Sequence, residues 1–103
     1  MRFQNFKSAH NYYNYPSSYR IGTISNTNGV IRSYSNGLNG DKFINNYKII
    51  YYKIKNEKIR KRFRININNG KKIRFFKKIE NGVDDLGLYK VDKFWKGYVK
   101  LIK

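Results

Sequence analysis

The stretch RFRININNGKKIRFFKKI, residues 62–79, carries two apolar runs on either side of Asn-Asn-Gly, and its reading decides the fold. In the first run Phe63, Ile65 and Ile67 alternate with Arg62, Arg64 and Asn66, the period of a half-buried strand. The second run, KKIRFFKKI at 71–79, is rich in Ile and Phe, which suit a pleated surface. Asn-Gly between them supplies the positive φ angles of a tight turn. The spacing therefore predicts a β-hairpin over 62–79. The preceding KNEKIRKR (55–62) has too little apolar surface for more than one or two helical turns.

Outward from the hairpin, the same short β-type runs recur: YRIGTI (19–24), GVIRSY (29–34), NYKIIYYKI (46–54), LGLYKVD (86–92) and GYVKLI (97–102). Turn signals separate them, at SNTNG (25–29), SNGLNGD (35–41) and ENG (80–82). Six to seven short strands with closely spaced turns predict a mostly β fold, a small curled sheet or barrel, as a single domain over 19–103. Residues 1–18 have weak periodicity and read as an irregular N-terminal arm, placed along a nucleic acid or over a sheet edge.

Charge is the strongest functional signal. Lys and Arg number 23 against six acids, a net charge of +17 on 103 residues. Asn, Ile, Lys, Tyr and Phe all have AT-rich codons, which accounts for part of the lysine but not for the shortage of acids. A balance this basic favours a polyanion, with nucleic acid first, DNA and RNA not told apart by charge, and an acidic protein as the alternative. There is no cysteine and His10 is the single histidine, so no disulfide framework, metal site or cofactor is expected. No apolar run approaches the length of a membrane span, and the first 20 residues have no apolar signal region, so a soluble intracellular protein with no membrane partner is expected.

The catalytic inventory is thin, and a non-enzymatic role is expected. A metal-dependent nuclease needs two or three convergent carboxylates. Asp84 and Asp85 are adjacent and point apart on a strand, Glu57 is followed at +2 by Ile59, and Glu80 by Gly82. His10 has no recognisable acid or nucleophile partner. Asp84, Asp85 and Gly87 read as a turn leading into a strand.

Arg60, just ahead of the predicted hairpin, lies close in sequence to Arg62, Arg64, Lys72, Arg74 and Lys78 within it, where one face would offer a basic strip for phosphates. The same pattern also describes the solvated face of a half-buried sheet. Aromatics are interleaved with these cations. Phe63, Phe75 and Phe94 suit a core, whereas Tyr51 and Tyr52 sit on opposite faces of their strand, so one of them faces out. Tyr52 and Trp95 are the candidates for stacking on bases.

The C-terminal third, KKIRFFKKIENGVDDLGLYKVDKFWKGYVKLIK, resembles the closing strands of SRA (YDG) domains, PUA-like barrels that read modified cytosine in DNA. IRFFKK (73–78) stands where the family has a V-R-V-x-R strand, and DDLGLYKVDKFW (84–95) where it has Y-D-G-x-Y-K-V-x-x-Y-W. Gly87, Tyr89, Lys90, Val91 and Trp95 match, and Phe94 replaces a Tyr. GDKF (40–43) resembles the family's Gly-Asp-Glu-Phe element, while the signature Tyr-Asp-Gly reads Asp85-Leu86-Gly87. The resemblance implies a base-flipping DNA reader. Its pocket would fall in 19–41, with Tyr34 stacking on the extruded base and Asp41 bonding the base edge.

Overall fold

Residues 62–69 are helical. The computed structural model describes residues 1–16, 24–27, 29–36 and 41–103, and within it α2 (Glu57–Asn69) replaces the first arm of the expected hairpin. The Asn56 side chain caps the helix by accepting from the Ile59 N–H at 2.9 Å, and Glu57 lies in the first turn. Gly70 ends it in the left-handed region, at φ 62°. Phe63 and Asn66 are buried, with Ile59 and Ile67 packed against the core. That is the i, i+4, i+7, i+8 stripe of a helix. Ile65, the residue that completed the strand alternation, is 36% exposed.

The strands are β1 (Arg2–Phe3), β2 (Ile24–Thr27), β3 (Val30–Asn36), β4 (Lys42–Ile44), β5 (Ile49–Lys53), β6 (Ile73–Ile79), β7 (Gly82–Trp95) and β8 (Tyr98–Ile102). They form one mixed sheet in the order β2-β3-β6-β7-β8-β5-β4, with β1 also paired to β7. Among the described strands only β3 and β6 run parallel. The mostly β expectation holds, but β2 and β4 remain separate edges, so the described strands do not close into a barrel.

Bulges produce the curl. Phe75 faces two residues of β7, Leu86 and Gly87, and Asp92 is an extra residue between Val91 and Lys93. Each bulge bends a strand and increases its twist. The N-terminal half of β7 therefore pairs with β6 and its C-terminal half with β8. Asp84 and Asp85 lie inside this continuous strand rather than in a turn. The curled sheet encloses Ile31, Tyr34, Ile50, Tyr52, Ile73, Phe75, Tyr89, Val91, Val99 and Leu101, and Phe63 of α2 completes the core. Phe94 packs against its margin. The Asn66 amide fastens the helix to β3, accepting from the Ile31 N–H at 2.8 Å and donating to the Ile31 carbonyl at 2.9 Å.

The N-terminal segment is not irregular over residues 1–16. Arg2 and Phe3 pair with Asp84 and Val83, and α1 (Phe6–Tyr13) follows with an Asn5 cap. Phe6, Ala9, Phe76 and Val83 form a second small core beneath it. The approach of β1 to β7 is close: a Cβ at Gly82 would lie 2.4 Å from the Phe3 carbonyl oxygen. The Glu80-Asn81-Gly82 turn joins β6 to β7 as the sequence predicts. Residues 17–23 and 37–40, which hold most of YRIGTI and the middle of SNGLNGD, lie outside the described residues. Among those described, no helix is long and apolar enough to cross a membrane.

Candidate nucleic-acid interface

The helix at 57–69 disperses the expected basic strip. On a helix Arg60 and Arg64 share a face, and Arg62 lies about 200° round from Arg60. The guanidinium carbons of Arg60 and Arg64 sit 5.0 and 5.3 Å from the centre of the Phe94 ring. Arg60 also pairs with Glu57 at 3.5 Å. Lys78, near the β6–β7 turn, is exposed, with Nζ 3.4 Å from the Gly82 carbonyl. Lys72 is exposed just ahead of β6.

Arg74 is held inside the protein. Its Nη1 donates to both Asp85 oxygens, at 3.2 and 3.0 Å, and Nε donates to the Tyr15 hydroxyl at 3.3 Å. The Tyr13 ring lies 4.0 Å from the guanidinium, and the Tyr13 hydroxyl donates to Asp85. Burial opposes the Arg74 charge, but the Tyr15 bond and the Asp85 carboxylate outweigh it and raise its pKa above the ordinary value. Asp85 also accepts from the Gly87 N–H at 2.8 Å, which anchors the β7 bulge. This aspartate is therefore structural.

Two of the expected base-binding residues face the core. Tyr34 is 1% exposed and meets Tyr52 edge-on at 4.4 Å, and Tyr52 is fully buried. Neither ring presents a face to a base outside. Asp41 accepts from the Tyr34 hydroxyl at 3.0 Å, the Asn36 amide at 2.6 Å and the Lys53 N–H at 3.0 Å. Burial raises its pKa despite these donors. Asp41 thus ties β3 to β5 rather than reading a base edge. The Tyr52 hydroxyl has no hydrogen-bond partner among the described residues.

The outward tyrosine is Tyr51, and it belongs to a surface that extends across four strands. Cross-strand partners in an antiparallel sheet project from the same face. One row runs Lys53, Tyr98, Trp95, and the next runs Lys42, Tyr51, Lys100, Lys93. A third runs Ile44, Ile49, Ile102, Lys90. None of these eleven positions is acidic. Trp95 is 46% exposed, and its ring lies 5.5 Å from that of Tyr51. Tyr98 lies 6.4 Å from Tyr51, with the Lys42 ammonium 5.2 Å from its centre. Lys96, in the β7–β8 turn, sits 5.1 Å from the Trp95 ring.

Of the expected stacking residues, only Trp95 lies on this face. Tyr51 and Tyr98 join it, and the sequence held a signal for both. Lys53 follows Tyr51 by two residues and Lys100 follows Tyr98 by two, so each tyrosine shares its lysine's outer face. The C-terminal segments carrying the SRA resemblance fall on β6 and β7, while Lys42 and Phe43 of GDKF fall on β4 and residue 40 lies outside the described residues. No protein-family model matches the chain, no curated protein matches its sequence, and no solved structure matches its fold.

Proposed function

We propose that the chain is a nucleic-acid-binding module that lays unpaired bases on the open face of β5, β8 and β7. The observation that carries this reading is the patch of Tyr51, Tyr98 and Trp95 bordered by Lys42, Lys53, Lys93 and Lys100, with no acid in its register positions. Exposed aromatics accept any base through its π-face, each contributing about 1–3 kcal/mol, while lysines follow the phosphates. The sequence resemblance in β6 and β7 makes DNA the favoured partner. A flipped-base pocket at Tyr34 and Asp41 finds no support in their burial and internal bonding.

The test is fluorescence anisotropy with matched single-stranded DNA, duplex DNA, duplex DNA with modified cytosine, and duplex RNA, at several salt concentrations. Single-stranded DNA is expected to bind most tightly, and to keep that lead as salt rises. Equal binding to every polyanion, lost together at high salt, would leave only a basic surface. Preference for the modified duplex would favour base reading through Trp95 instead. A second reading, an acidic protein docked on the same lysines, is favoured by the adjoining Ile44–Ile49–Ile102 row, where Ile44 is 43% exposed.

A further inference from the structure

The other half of the sheet carries a cavity that the open face does not explain. Its volume is about 470 Å³, and its described lining is Tyr15, Thr27, Val30, Arg32, Lys71, Lys72, Arg74 and Leu88. Four of these residues are cationic and none is acidic. The volume lies within the range of small-molecule sites.

Three local features aim the cations. In β3, Asn26 faces Ile31 and Ser25 faces Ser33, so Arg32 is an extra residue. Such bulges re-aim side chains. Ile31 and Tyr34 point into the core while Arg32 is exposed, its guanidinium 5.3 Å from the Tyr15 ring. Second, Asn66 fixes the junction of α2 and β6 by donating to the Lys71 carbonyl at 3.2 Å, and the Lys71 N–H donates back to the Asn66 carbonyl at 3.0 Å. That junction places Lys71 and Lys72 at the rim. Third, Asp85 and Tyr15 hold the Arg74 guanidinium by Nη1 and Nε, leaving Nη2 without a hydrogen bond to any described residue. A guanidinium fixed in this way loses little freedom when it binds an anion.

Apolar side chains adjoin the charges. Val30 is half-buried, and Leu88, beside Arg74 in the β6–β7 register, is 44% exposed. We infer that this cavity binds a single nucleotide by its terminal phosphate, with Arg32, Lys71, Lys72 and the free edge of Arg74 around the phosphate and Val30 and Leu88 against the base. A terminal phosphate carries about −1.5 to −2 charges near neutrality. It matches Arg32, Lys71 and Lys72, which lie beside an Arg74 already balanced by Asp85. A backbone diester, with one charge, matches them less well. The same chemistry occurs in a free nucleoside monophosphate and at the phosphorylated end of a strand.

Titration calorimetry at low salt tests the site with adenosine 5′-monophosphate, adenosine, inorganic phosphate, and one oligonucleotide with or without a 5′-phosphate. The monophosphate is expected to bind at least tenfold more tightly than adenosine or inorganic phosphate. Arg32→Ala combined with Lys72→Ala should weaken it at least tenfold. Lys58→Ala combined with Lys61→Ala, which removes equal charge from exposed positions of α2, should leave it unchanged. Leu88→Ser should weaken the monophosphate but not inorganic phosphate. Binding by the monophosphate alone identifies a free nucleotide, and a 5′-phosphate advantage in the oligonucleotide identifies a strand end. Equal loss in both charge pairs, or adenosine binding as well as its monophosphate, would overturn the site. Trp95→Ala reports on the open face and should not alter nucleotide binding, so the two proposals fail separately.

Discussion

The two outer faces of the curled sheet use similar residues to opposite ends. On the β3–β6–β7 half, β1 and α1 cover Phe76 and Val83, and Arg74 is bound by Asp85, Tyr13 and Tyr15. On the β4–β5–β8–β7 half, Trp95, Tyr51 and Tyr98 stand among lysines with no acid in the rows. A cation beside a tyrosine is tied into the fold in one place, as Arg74 is to Tyr13 and Tyr15, and stands open in the other, as Lys42 does beside Tyr98. What separates them is the carboxylate and the covering helix. High net charge alone does not locate a binding surface, whereas the positions of the few acids do.

The largest contrast is expected between Phe76→Ala and Trp95→Ala. Phe76 is fully buried and touches His10 at 5.0 Å between ring centroids. Its loss should cost about 3–5 kcal/mol, read as a lower urea midpoint. Trp95→Ala should change stability by no more than about 0.5 kcal/mol. Comparable losses would erase the distinction between covered and open faces.

Next is the ion pair beneath the cover, whose side chains are 17% and 4% exposed. Asp85→Ala leaves the Arg74 charge unpaired in a partly buried site and should cost about 3 kcal/mol. Arg74→Met with Asp85→Leu should recover most of that loss in a double-mutant cycle. If the single variant is as stable as the wild type, Asp85 does not anchor this half.

A smaller effect comes from His10, buried under the same cover. Its Nδ1 lies 2.7 Å from the Phe6 carbonyl, which only accepts, so Nδ1 carries the proton. The neutral ring then accepts the Ser33 hydroxyl at Nε2, across 2.8 Å. Burial lowers the His10 pKa below its ordinary 6.5, against the raising effect of the Phe6 bond. The unfolded chain therefore binds the proton first as pH falls. The stabilisation is complete above the unfolded value and disappears as pH drops through the folded one. Asp41, with its raised pKa, acts in the opposite direction nearer pH 3.8. Thermal midpoints should fall between pH 7 and 5, and His10→Gln should flatten that slope. An unchanged slope would remove His10 as its source.

The strands of the fold were largely legible in the sequence. The Ile, Tyr and Phe runs mark β3, β5, β6, β7 and β8, and Glu-Asn-Gly marks the β6–β7 turn. Helix α2 was not, because Phe63 and Ile67 fit period 2 and period 3.6 alike. Starting at Arg62 excluded Ile59 and the Asn56 cap, which favour the helix, and Gly70 suits a helix end as well as a hairpin. Helix α1 hid in Ser, Asn and Tyr, which have low helix propensity, although Phe6, Ala9, His10 and Tyr13 keep helical spacing. Tyr34, which the family resemblance assigned to a base pocket, turns into the core for another reason. Arg32 sits in a bulge, and one extra residue reverses the inside–outside alternation beyond it.

The most direct test of the open face is single-stranded DNA binding by Trp95→Ala, measured by anisotropy beside a denaturation curve. Loss of one stacking platform should weaken binding by about 1–3 kcal/mol, or about 5- to 150-fold, without changing stability or the salt slope. Lys93→Ala with Lys100→Ala should instead flatten the salt slope by about 1.4, for two single-strand phosphate contacts. Wild-type affinity in Trp95→Ala, with stability intact, would contradict the account and leave these aromatics as uncovered sheet surface.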